Sequence, residues 1–323
     1  MIYAATNKKI SCGTCIPVAG GNMEFTTEKL RGELKYMESM ANHTSWHAGG
    51  RAEFFYKVAD LDDLCSLLSC LPEDIPVLWL GLGSNLLVRD GGLKGMVIAI
   101  AGVLDELELT ATGQLHAGAG VSCPKVARFS ANAGFSGAEF LAGIPGTMGG
   151  ALVMNAGAFG SETWDLVTSV EMLDRNGKRC ERGKEDFVIG YRHVELNDNE
   201  WFINCKLNLV RGGVDECENR IRTLLAQRAA TQPIGQFSCG SVFRNPPNDY
   251  AARLIEFCGL KGKRIGDACI SEKHANFIIN QGSATATDIE NLILYARDTV
   301  RQRCDVELIP EVRIIGERID GHA

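Results

Sequence analysis

The chain lacks several features that mark large classes of protein. Its 323 residues carry a net charge of −7 at pH 7 without a basic block, which argues against nucleic acid as the main partner. No apolar run approaches the length that crosses a bilayer, and the N-terminus lacks the charged-then-apolar pattern of a secretory signal. We therefore expect a soluble, cytoplasmic protein without a membrane partner, long enough for two domains.

Common nucleotide-binding and hydrolytic motifs are also missing. No Gly-Lys-Ser/Thr occurs, and neither of two glycine-rich stretches, 81–92 and 143–160, places a GxGxxG between a strand and a helix. A P-loop nucleotidase and an ordinary Rossmann dehydrogenase are therefore both disfavoured. Ser241 is not surrounded by GxSxG, so we do not expect a hydrolase nucleophile there.

Potential metal ligands are not grouped. His43 and His47 have the spacing of one helical face, but the residues between and after them favour an extended segment. Cys12 and Cys15 form a CxxC, and no second pair lies at zinc-site spacing. The twelve cysteines are scattered singly through apolar segments, which favours buried thiols in a reduced compartment. We expect no metal site.

Local patterns predict many short strands followed by a more helical part, with a break at the Arg-Gly-Gly of 211–213. Asp60 is placed to cap a helix, and Asn176-Gly177 is a strong hairpin signal. Thr287 and Glu290 are spaced as a capping box. We predict an α+β N-terminal domain and a smaller α/β C-terminal domain. The predicted helices are 28–34, 60–71, 122–133, 216–230, 249–258 and 287–303, and the predicted strands are 77–80, 95–100, 107–110, 115–117, 167–173, 201–210 and 306–315.

The segment from Gly137 to Glu162 is rich in glycine, alanine and apolar residues and almost without charge. Backbone N–H groups that no side chain covers can approach a flat or phosphorylated ligand closely. The alternative is a glycine-rich crossover between strands. Asn155 is the polar exception, and its amide requires either a ligand or the backbone as its partner. In the other stretch, Ser84 and Asn85 follow a buried strand and can offer donors to a pyrophosphate.

Four further polar residues have both a functional and a structural interpretation. Arg192 follows Tyr191 in a loop between strands, where it either clamps a carboxylate or phosphate or lies on solvated surface. Ser241 is held between a glycine and an apolar pair, which allows its hydroxyl to be aimed. Glu311 lies in the last predicted strand, where a glutamate is usually solvated. His274 precedes an apolar run and either faces a ligand or lies in the core.

Taken together, ordered motifs from His43 to Gly316 make the chain similar to the UDP-N-acetylenolpyruvoylglucosamine reductases, the MurB family of flavin enzymes of peptidoglycan synthesis. The motifs are HTSWHAGGRAEF at 43–54, LGLGSNLLVRDGG at 80–92, GAEFLAGIPGTMGGALVMNAGAFG at 137–160, GYR at 190–192, QP and SCGSVFRNP within 232–246, HANFIIN at 274–280 and IPEVRIIG at 309–316.

The resemblance implies a two-part FAD-binding region of the vanillyl-alcohol-oxidase (PCMH) type over residues 43–211 and a substrate-binding domain over 212–323. It assigns no role to a leader of residues 1–42. Arg192, Ser241 and Glu311 take the catalytic positions. The residues implied to hold non-covalent FAD are Gly81, Gly83, Ser84, Asn85, Leu86, Gly143, Ile144, Pro145, Gly146, Gly149, Gly150, Asn155, Gly157 and Ala158, and those implied to bind substrate are Tyr191, Arg228, Arg244, Asn245 and His274.

The implied reaction has two stages. NADPH reduces the flavin, and reduced flavin then transfers a hydride to the vinyl carbon of UDP-N-acetylglucosamine enolpyruvate, giving UDP-N-acetylmuramate. Arg192 and a protonated Glu311 would stabilise the enolate-like state, and Ser241 would donate the proton. We expect a monomer with NADPH and the enolpyruvyl sugar nucleotide as its partners.

Two departures from the family pattern affect the site. Family members often carry a serine two residues after the arginine, where this chain has Val194, so we expect the local support of Arg192 to differ. The strand ending at Val210 runs almost directly into the next helix, so the insertion that brings a substrate-covering tyrosine in one class is absent. The chain therefore looks like the shorter class, and we expect Arg228, Arg244 and Asn245 to supply the diphosphate contacts.

Two alternatives remain. One is an oxidase of the same fold, but many such oxidases attach FAD covalently to histidine, and neither glycine-rich stretch contains one. The other is a catalytically silent binder of FAD or a sugar nucleotide, which would not need to retain Ser241 and Glu311.

Overall fold

The computed structural model describes residues 15–17, 24–26 and 29–319. Most of the predicted leader, including Cys12 of the CxxC, lies outside them. Within these residues the α-helices are α1 (Leu61–Cys70), α2 (Cys123–Asn132), α3 (Met148–Met154), α4 (Val214–Thr231), α5 (Ala251–Phe257) and α6 (Ala286–Cys304). Short 3-10 turns cover Met40–His43, Glu139–Gly143, Thr163–Asp165 and Lys184–Asp186.

The strands are short. They are β1 (Cys15–Pro17), β2 (Glu24–Thr26), β3 (Glu33–Ser39), β4 (Arg51–Lys57), β5 (Val77–Leu80), β6 (Leu86–Val88), β7 (Leu93–Ala99), β8 (Leu107–Leu109), β9 (Gln114–Gly118), β10 (Phe135–Ser136), β11 (Gly157–Ala158), β12 (Ser161–Glu162), β13 (Val167–Asp174), β14 (Arg179–Gly183), β15 (Ile189–Gly190), β16 (His193–Val194), β17 (Glu200–Asn208), β18 (Val210–Arg211), β19 (Arg264–Ile265), β20 (Ala268–Ile270), β21 (Ile278–Asn280) and β22 (Arg313–Ile315).

Packing divides the chain into two units, each made of separate stretches. The first contains the described residues up to Glu38, then Phe54–Gly81 and Gly95–Leu225, and the second contains Ser39–Glu53, Leu82–Lys94 and the described residues from Ala226 onward. The first unit holds α+β structure with two larger sheets, and the second holds helices and short strands. The domain limits 43–211 and 212–323 remain a prediction.

The first unit is built on an antiparallel sheet in the order β14-β13-β17-β9-β8 and a second sheet in the order β3-β4-β7-β5, in which β5 and β7 are parallel. The predicted hairpin between β13 and β14 is confirmed, with Gly177 in the left-handed region at φ 77°. The predicted helix cap is also confirmed, because the Asp60 carboxylate accepts a hydrogen bond from Asp63 N at 2.9 Å. Leu64 and Leu67 of α1 are fully buried. Each such leucine contributes roughly 1.5–3 kcal/mol.

The second unit has its own core around α6, where Ile289, Leu292 and Ile293 are fully buried. Trp46 is equally buried and donates its indole N–H to the carbonyl of Ile278 at 2.7 Å. In the same unit the buried strand β6 pairs in parallel with β22. This pairing joins the loop that follows Leu82 to the end of the described chain.

Three local predictions are wrong for physical reasons. Residues 29–34 are not helical: Gly32 packs against the Tyr56 ring, its N–H donates to the Tyr56 hydroxyl at 2.7 Å, and β3 begins at Glu33. The predicted strand 306–315 pairs regularly only over β22, since Pro310 has no N–H to donate and forms a single isolated bridge. The long strand 201–210 breaks after Asn208, and β18 pairs with β10 instead.

The predicted capping box of α6 is also wrong. The box is formed by Thr285 and Asp288, whose side chains bond each other's backbone N–H groups at 2.9 and 3.0 Å. Thr287 instead donates its N–H and hydroxyl to Asp90, at 2.8 and 2.6 Å. Glu290 is engaged by arginine side chains. Thr287 and Glu290 therefore connect α6 to residues of the same unit that are distant in the sequence.

Candidate functional site

Arg192 of the first unit is held by backbone carbonyls. Its side chain donates to the carbonyl of Gly157 at 2.7 Å and to that of Asn155 at 3.4 Å, with the carboxylate of Glu162 4.0 Å away. Its guanidinium carbon also lies 5.1 Å from the centre of the Tyr191 ring. The residue adopts φ 55°, a conformation that is uncommon outside glycine and recurs at functional sites. Arg192 is therefore a positioned side chain rather than a solvated surface arginine.

Gly157 lies where the chain has no room for a side chain. A Cβ on Gly157 would lie 2.7 Å from the Ser161 carbonyl oxygen and 2.8 Å from a guanidinium nitrogen of Arg192. A larger residue would have to shift the Ser161 backbone as well as the Arg192 side chain. The glycine-rich segment thus shapes the position of Arg192.

The Asn155 amide is satisfied within the protein. It is 2% exposed and ends α3 in the left-handed conformation, at φ 40°. Its NH₂ donates to the Glu162 carboxylate at 2.7 Å and to the Gly190 carbonyl at 3.1 Å, and its oxygen accepts from Trp164 N at 3.2 Å. Groups of the protein itself therefore satisfy the hydrogen-bonding capacity of the Asn155 side chain. Its implied contact with FAD remains a prediction.

The segment 143–160 combines occupied backbone donors with an uncharged surface. The N–H groups of Met148 and Gly149 donate to the carbonyls of Val121 and Ala119 at 2.8 and 2.9 Å. They are therefore not available to a phosphate. The segment contains no charged residue, and Ile144, Pro145, Gly150, Val153, Met154 and Ala158 are partly or fully exposed. A neutral surface of this kind fits the ring system of a flavin.

Of the other implied cofactor residues, Gly83, Ser84, Asn85 and Leu86 lie in the loop after Leu82, in the second unit, and Gly81 belongs to the first unit. Gly83 has φ 62°, and a Cβ there would lie 1.9 Å from the His43 carbonyl oxygen, so only glycine fits. Asn85 donates its amide to the carbonyl of Glu311 at 3.1 Å, and its own carbonyl accepts from Arg313 N at 3.1 Å. The side chain of Asn85 thus fixes the Glu311 segment. This contact was not expected from the sequence.

Ser241 and Glu311 come together through adjacent extended segments of the second unit. Glu311 N donates to the Val242 carbonyl at 2.7 Å, and Arg244 N donates to the Ile309 carbonyl at 2.9 Å. Both Ser241 and Glu311 are half-buried. A hydroxyl and a carboxyl are therefore carried on paired segments, 70 residues apart in the chain.

The implied substrate residues have unequal environments. Arg244 is half-buried, and its Nε is buried without a hydrogen-bond partner among the described residues, a state that a ligand acceptor would relieve. Asn245 accepts a hydrogen bond from Ala251 N at 3.1 Å and so helps to begin α5. Burial lowers the pKa of Arg228, whose Nε donates to Gln232 at 2.9 Å. Burial also lowers the pKa of His274, and its Nδ1 accepts from Asn276 N at 3.3 Å.

No group of three or more His, Cys, Asp or Glu side chains in the described part of the chain could hold a metal ion. Within the same residues no helix is long and apolar enough to cross a membrane. Cys239, two residues before Ser241, is buried with its thiol 3.5 Å from the Leu86 carbonyl, and burial raises its pKa to about 12. A thiol held in this protonated form is a poor nucleophile.

The sequence missed several buried polar side chains that hold these segments. Asn276 and Asn280 are 3% exposed and Glu290 is 6% exposed. Two polar amides inside the apolar run HANFIIN were an available signal, because buried amides require partners. The partners themselves lie far away in the sequence.

The comparisons with known proteins first define the class. Residues 52–182 match the family profile of an FAD-binding domain. The fold is shared with 6-hydroxy-D-nicotine oxidase from Arthrobacter nicotinovorans, at a TM-score of 0.53 and 12% identity, over 86% of this chain and 87% of that one. The chain therefore has the α+β FAD-binding fold of flavin oxidoreductases.

The particular family follows from closer matches. Residues 232–315 match the C-terminal domain of UDP-N-acetylenolpyruvoylglucosamine reductase. The reductase of that name from Alkalilimnicola ehrlichii is 57% identical over 286 residues, covering 88% of this chain and 96% of the relative. The crystal structure of the Thermus caldophilus enzyme has a TM-score of 0.76 and 34% identity, over 88% of this chain and 99% of that one. The chain belongs to the UDP-N-acetylenolpyruvoylglucosamine reductase family.

Proposed function

We propose that this protein catalyses the NADPH-dependent reduction of UDP-N-acetylglucosamine enolpyruvate to UDP-N-acetylmuramate, a step in peptidoglycan precursor synthesis, with non-covalent FAD. The observation that carries this proposal is the pairing of the Ser241 and Glu311 segments, through the 2.7 Å bond from Glu311 N to the Val242 carbonyl. The alternative interpretation, an oxidase of the same fold, does not explain why a serine and a glutamate lie on paired segments.

FAD, when bound, supplies hydride transfer from NADPH to the vinyl carbon of the substrate. The residues that would hold it are those of the uncharged segment 143–160, with Gly81, Gly83, Ser84, Asn85 and Leu86. The neutral exposed residues of α3 and the absence of charge in that segment support this assignment. The presence of glycine at position 83 also has a structural explanation, because a Cβ there would lie 1.9 Å from the His43 carbonyl oxygen.

The chain's own residues manage charge and the proton. As negative charge develops next to the substrate carboxylate, the guanidinium of Arg192 stabilises it, and Glu311 does so in its protonated form. Ser241 donates the proton that completes the lactyl ether. The carbonyls of Asn155 and Gly157 orient Arg192 before the substrate arrives, so this orientation does not have to be established during the reaction.

Substrate contacts beyond these residues form a separate part of the proposal. Arg244 and Arg228 are assigned to the diphosphate, and the unpartnered buried Nε of Arg244 supports the first assignment. Asn245, Tyr191 and His274 complete the substrate set. β18 ends at Arg211 and α4 begins at Val214, which supports the shorter class without a substrate-covering tyrosine loop. We further propose that the protein is a cytoplasmic monomer and uses NADPH.

Anaerobic stopped-flow absorbance tests the proposal in two half-reactions. The FAD-loaded protein is reduced with NADPH and then mixed with the enolpyruvyl sugar nucleotide. We expect rapid flavin reoxidation, slowed by about 10²-fold or more in Ser241→Ala because a general acid is lost. Ser238→Ala is the matched control, a hydroxyl loss three residues away, and should reoxidise at the wild-type rate. Reoxidation of the flavin only by oxygen would favour the oxidase alternative. A protein that binds no FAD would exclude both the reductase and the oxidase.

A further inference from the structure

The buried amide of Asn276 clamps the peptide units that follow Ser241. Its Oδ1 accepts from Phe243 N at 3.0 Å, and its Nδ2 donates to the Phe243 carbonyl at 2.8 Å. Its backbone carbonyl accepts from Val242 N at 2.9 Å. One residue, 3% exposed, thus makes three hydrogen bonds to two consecutive residues.

These contacts imitate a neighbouring β-strand. An amide side chain has one acceptor and one donor group, as a peptide unit has, so it can pair with both polar groups of Phe243. The opposite edge of the same segment pairs with residues 309–311, through Arg244 N and the Val242 carbonyl. Residues 242–244 are therefore fixed on both sides.

Ser241 lies directly between Gly240 and this fixed segment. Gly240 has φ 75°, a conformation that favours glycine, and before it the buried Cys239 holds its thiol 3.5 Å from the Leu86 carbonyl. On its C-terminal side, Ser241 is joined to the peptide units that Asn276 holds. Val242 and Phe243 are both buried, which makes the segment rigid once the amide is in place.

We propose that Asn276 is a positioning residue for the proton transfer by Ser241. The proposal rests on the assignment of Ser241 as proton donor. Loss of the amide leaves the N–H and carbonyl of Phe243 without their partners and allows the serine to move. A displacement of about 1 Å costs up to roughly 10²-fold in rate.

The half-reactions of the FAD-loaded full chain measure this effect. In Asn276→Ala we expect reoxidation by the enolpyruvyl sugar nucleotide to slow by roughly 10- to 100-fold. Reduction by NADPH should be unchanged, because Ser241 takes no part in it. Asn276→Asp keeps the acceptor for Phe243 N and loses the donor, so it should fall between Asn276→Ala and wild type, and it serves if the alanine variant does not fold.

Asn280 provides a matched control in the same motif. It is also 3% exposed and makes three hydrogen bonds, to the Trp46 carbonyl and from the N–H groups of Gly282 and Ala284. Asn280→Ala removes an equally buried amide and should destabilise the protein to a similar degree. Its reoxidation rate should nevertheless stay at the wild-type value. Equal slowing in both variants would overturn the proposal.

A double variant separates this proposal from the proposed function. If Asn276 acts through Ser241, adding Asn276→Ala to Ser241→Ala produces no further slowing. A further slowing by the full single-variant factor would show a general structural effect and overturn the proposal. Wild-type reoxidation in Asn276→Ala would also overturn it. Failure of Ser241→Ala alone to slow reoxidation would instead refute the role of the serine.

Discussion

Glu290 lies in a charge cluster of the second unit, and the contribution of this cluster to the free energy of unfolding can be estimated from its geometry. Arg89 donates to both carboxylate oxygens at 2.9 and 3.0 Å, and Arg318 donates to one of them at 2.8 Å. Burial alone would raise the pKa of Glu290, but the hydrogen bonds and charges of the two arginines outweigh it and hold the pKa below its ordinary value. The cluster joins α6 to residues that flank β6 and β22.

The substitution Glu290→Gln keeps the shape of the side chain and removes its charge. The carboxylate is 8% exposed, whereas the two guanidinium side chains are 28% and 57% exposed and remain partly hydrated after the change. Breaking a fully buried ion pair costs about 3–5 kcal/mol, and losing one hydrogen bond to a charged group costs about 1.5–3 kcal/mol. Because the arginines reach water and glutamine retains one acceptor, we expect a loss of about 2 kcal/mol in unfolding free energy.

Urea unfolding followed by circular dichroism at pH 7 measures this loss. Glu317→Gln is the control, since its 2.7 Å pair with Lys94 is exposed at both ends and such pairs contribute about 0–1 kcal/mol. The folded-state pKa of Glu290 lies below the unfolded value of about 4.3, so its contribution is present above that pH and is lost as pH falls through the folded-state pKa. The difference between wild type and Glu290→Gln should therefore narrow on acidification below about pH 4.3. Equal stability of the two glutamine variants at pH 7 would refute the reasoning.

Three further outcomes are expected. Gly83→Ala should lower the free energy of unfolding in urea by about 3 kcal/mol or more, because strain at φ 62° adds to a backbone clash. The control Gly102→Ala, at φ 72° with nothing within 4 Å of the new Cβ, should lower it by about 1–2 kcal/mol. Similar losses in the two variants would contradict the clash at Gly83. Native alkylation at pH 8 with mass spectrometry should leave Cys239 unmodified while half-buried Cys180 reacts, and equal labelling would show that the thiol is accessible. Arg192→Lys should slow flavin reoxidation by roughly 10²-fold without affecting reduction by NADPH, since lysine cannot reproduce the planar fork, and a wild-type rate would remove Arg192 from the reaction.

The elements that could be predicted from the sequence depend on signals within a few residues. The Asp60 cap and the Asn176-Gly177 turn act on their own neighbours, so the sequence contains the whole cause. The start of α6 shows the limit of such signals. Two pairs there have capping-box spacing, and the choice between them is made by Asp90 and by the arginines, which lie at least 28 residues from their partners in the chain.

The candidate site divides in the same way. Residues that would meet a ligand stand out in the sequence, because a serine, an arginine or a glutamate in an unusual setting is visible locally. The residues that position these side chains do not stand out in the sequence, because their partners are distant: Asn276 is 33 positions from Phe243, and Asn85 is 226 positions from Glu311. An amide residue within an apolar run indicates that a hydrogen-bond partner exists, but it does not identify that partner. Asn85 illustrates the consequence, since its expected role was to bind a cofactor, yet its side chain holds the backbone of Glu311. A substitution of Asn85 should therefore disturb the Glu311 segment as well as any cofactor contact, and loss of FAD affinity alone would show that the hydrogen bond to Glu311 contributes nothing to that segment.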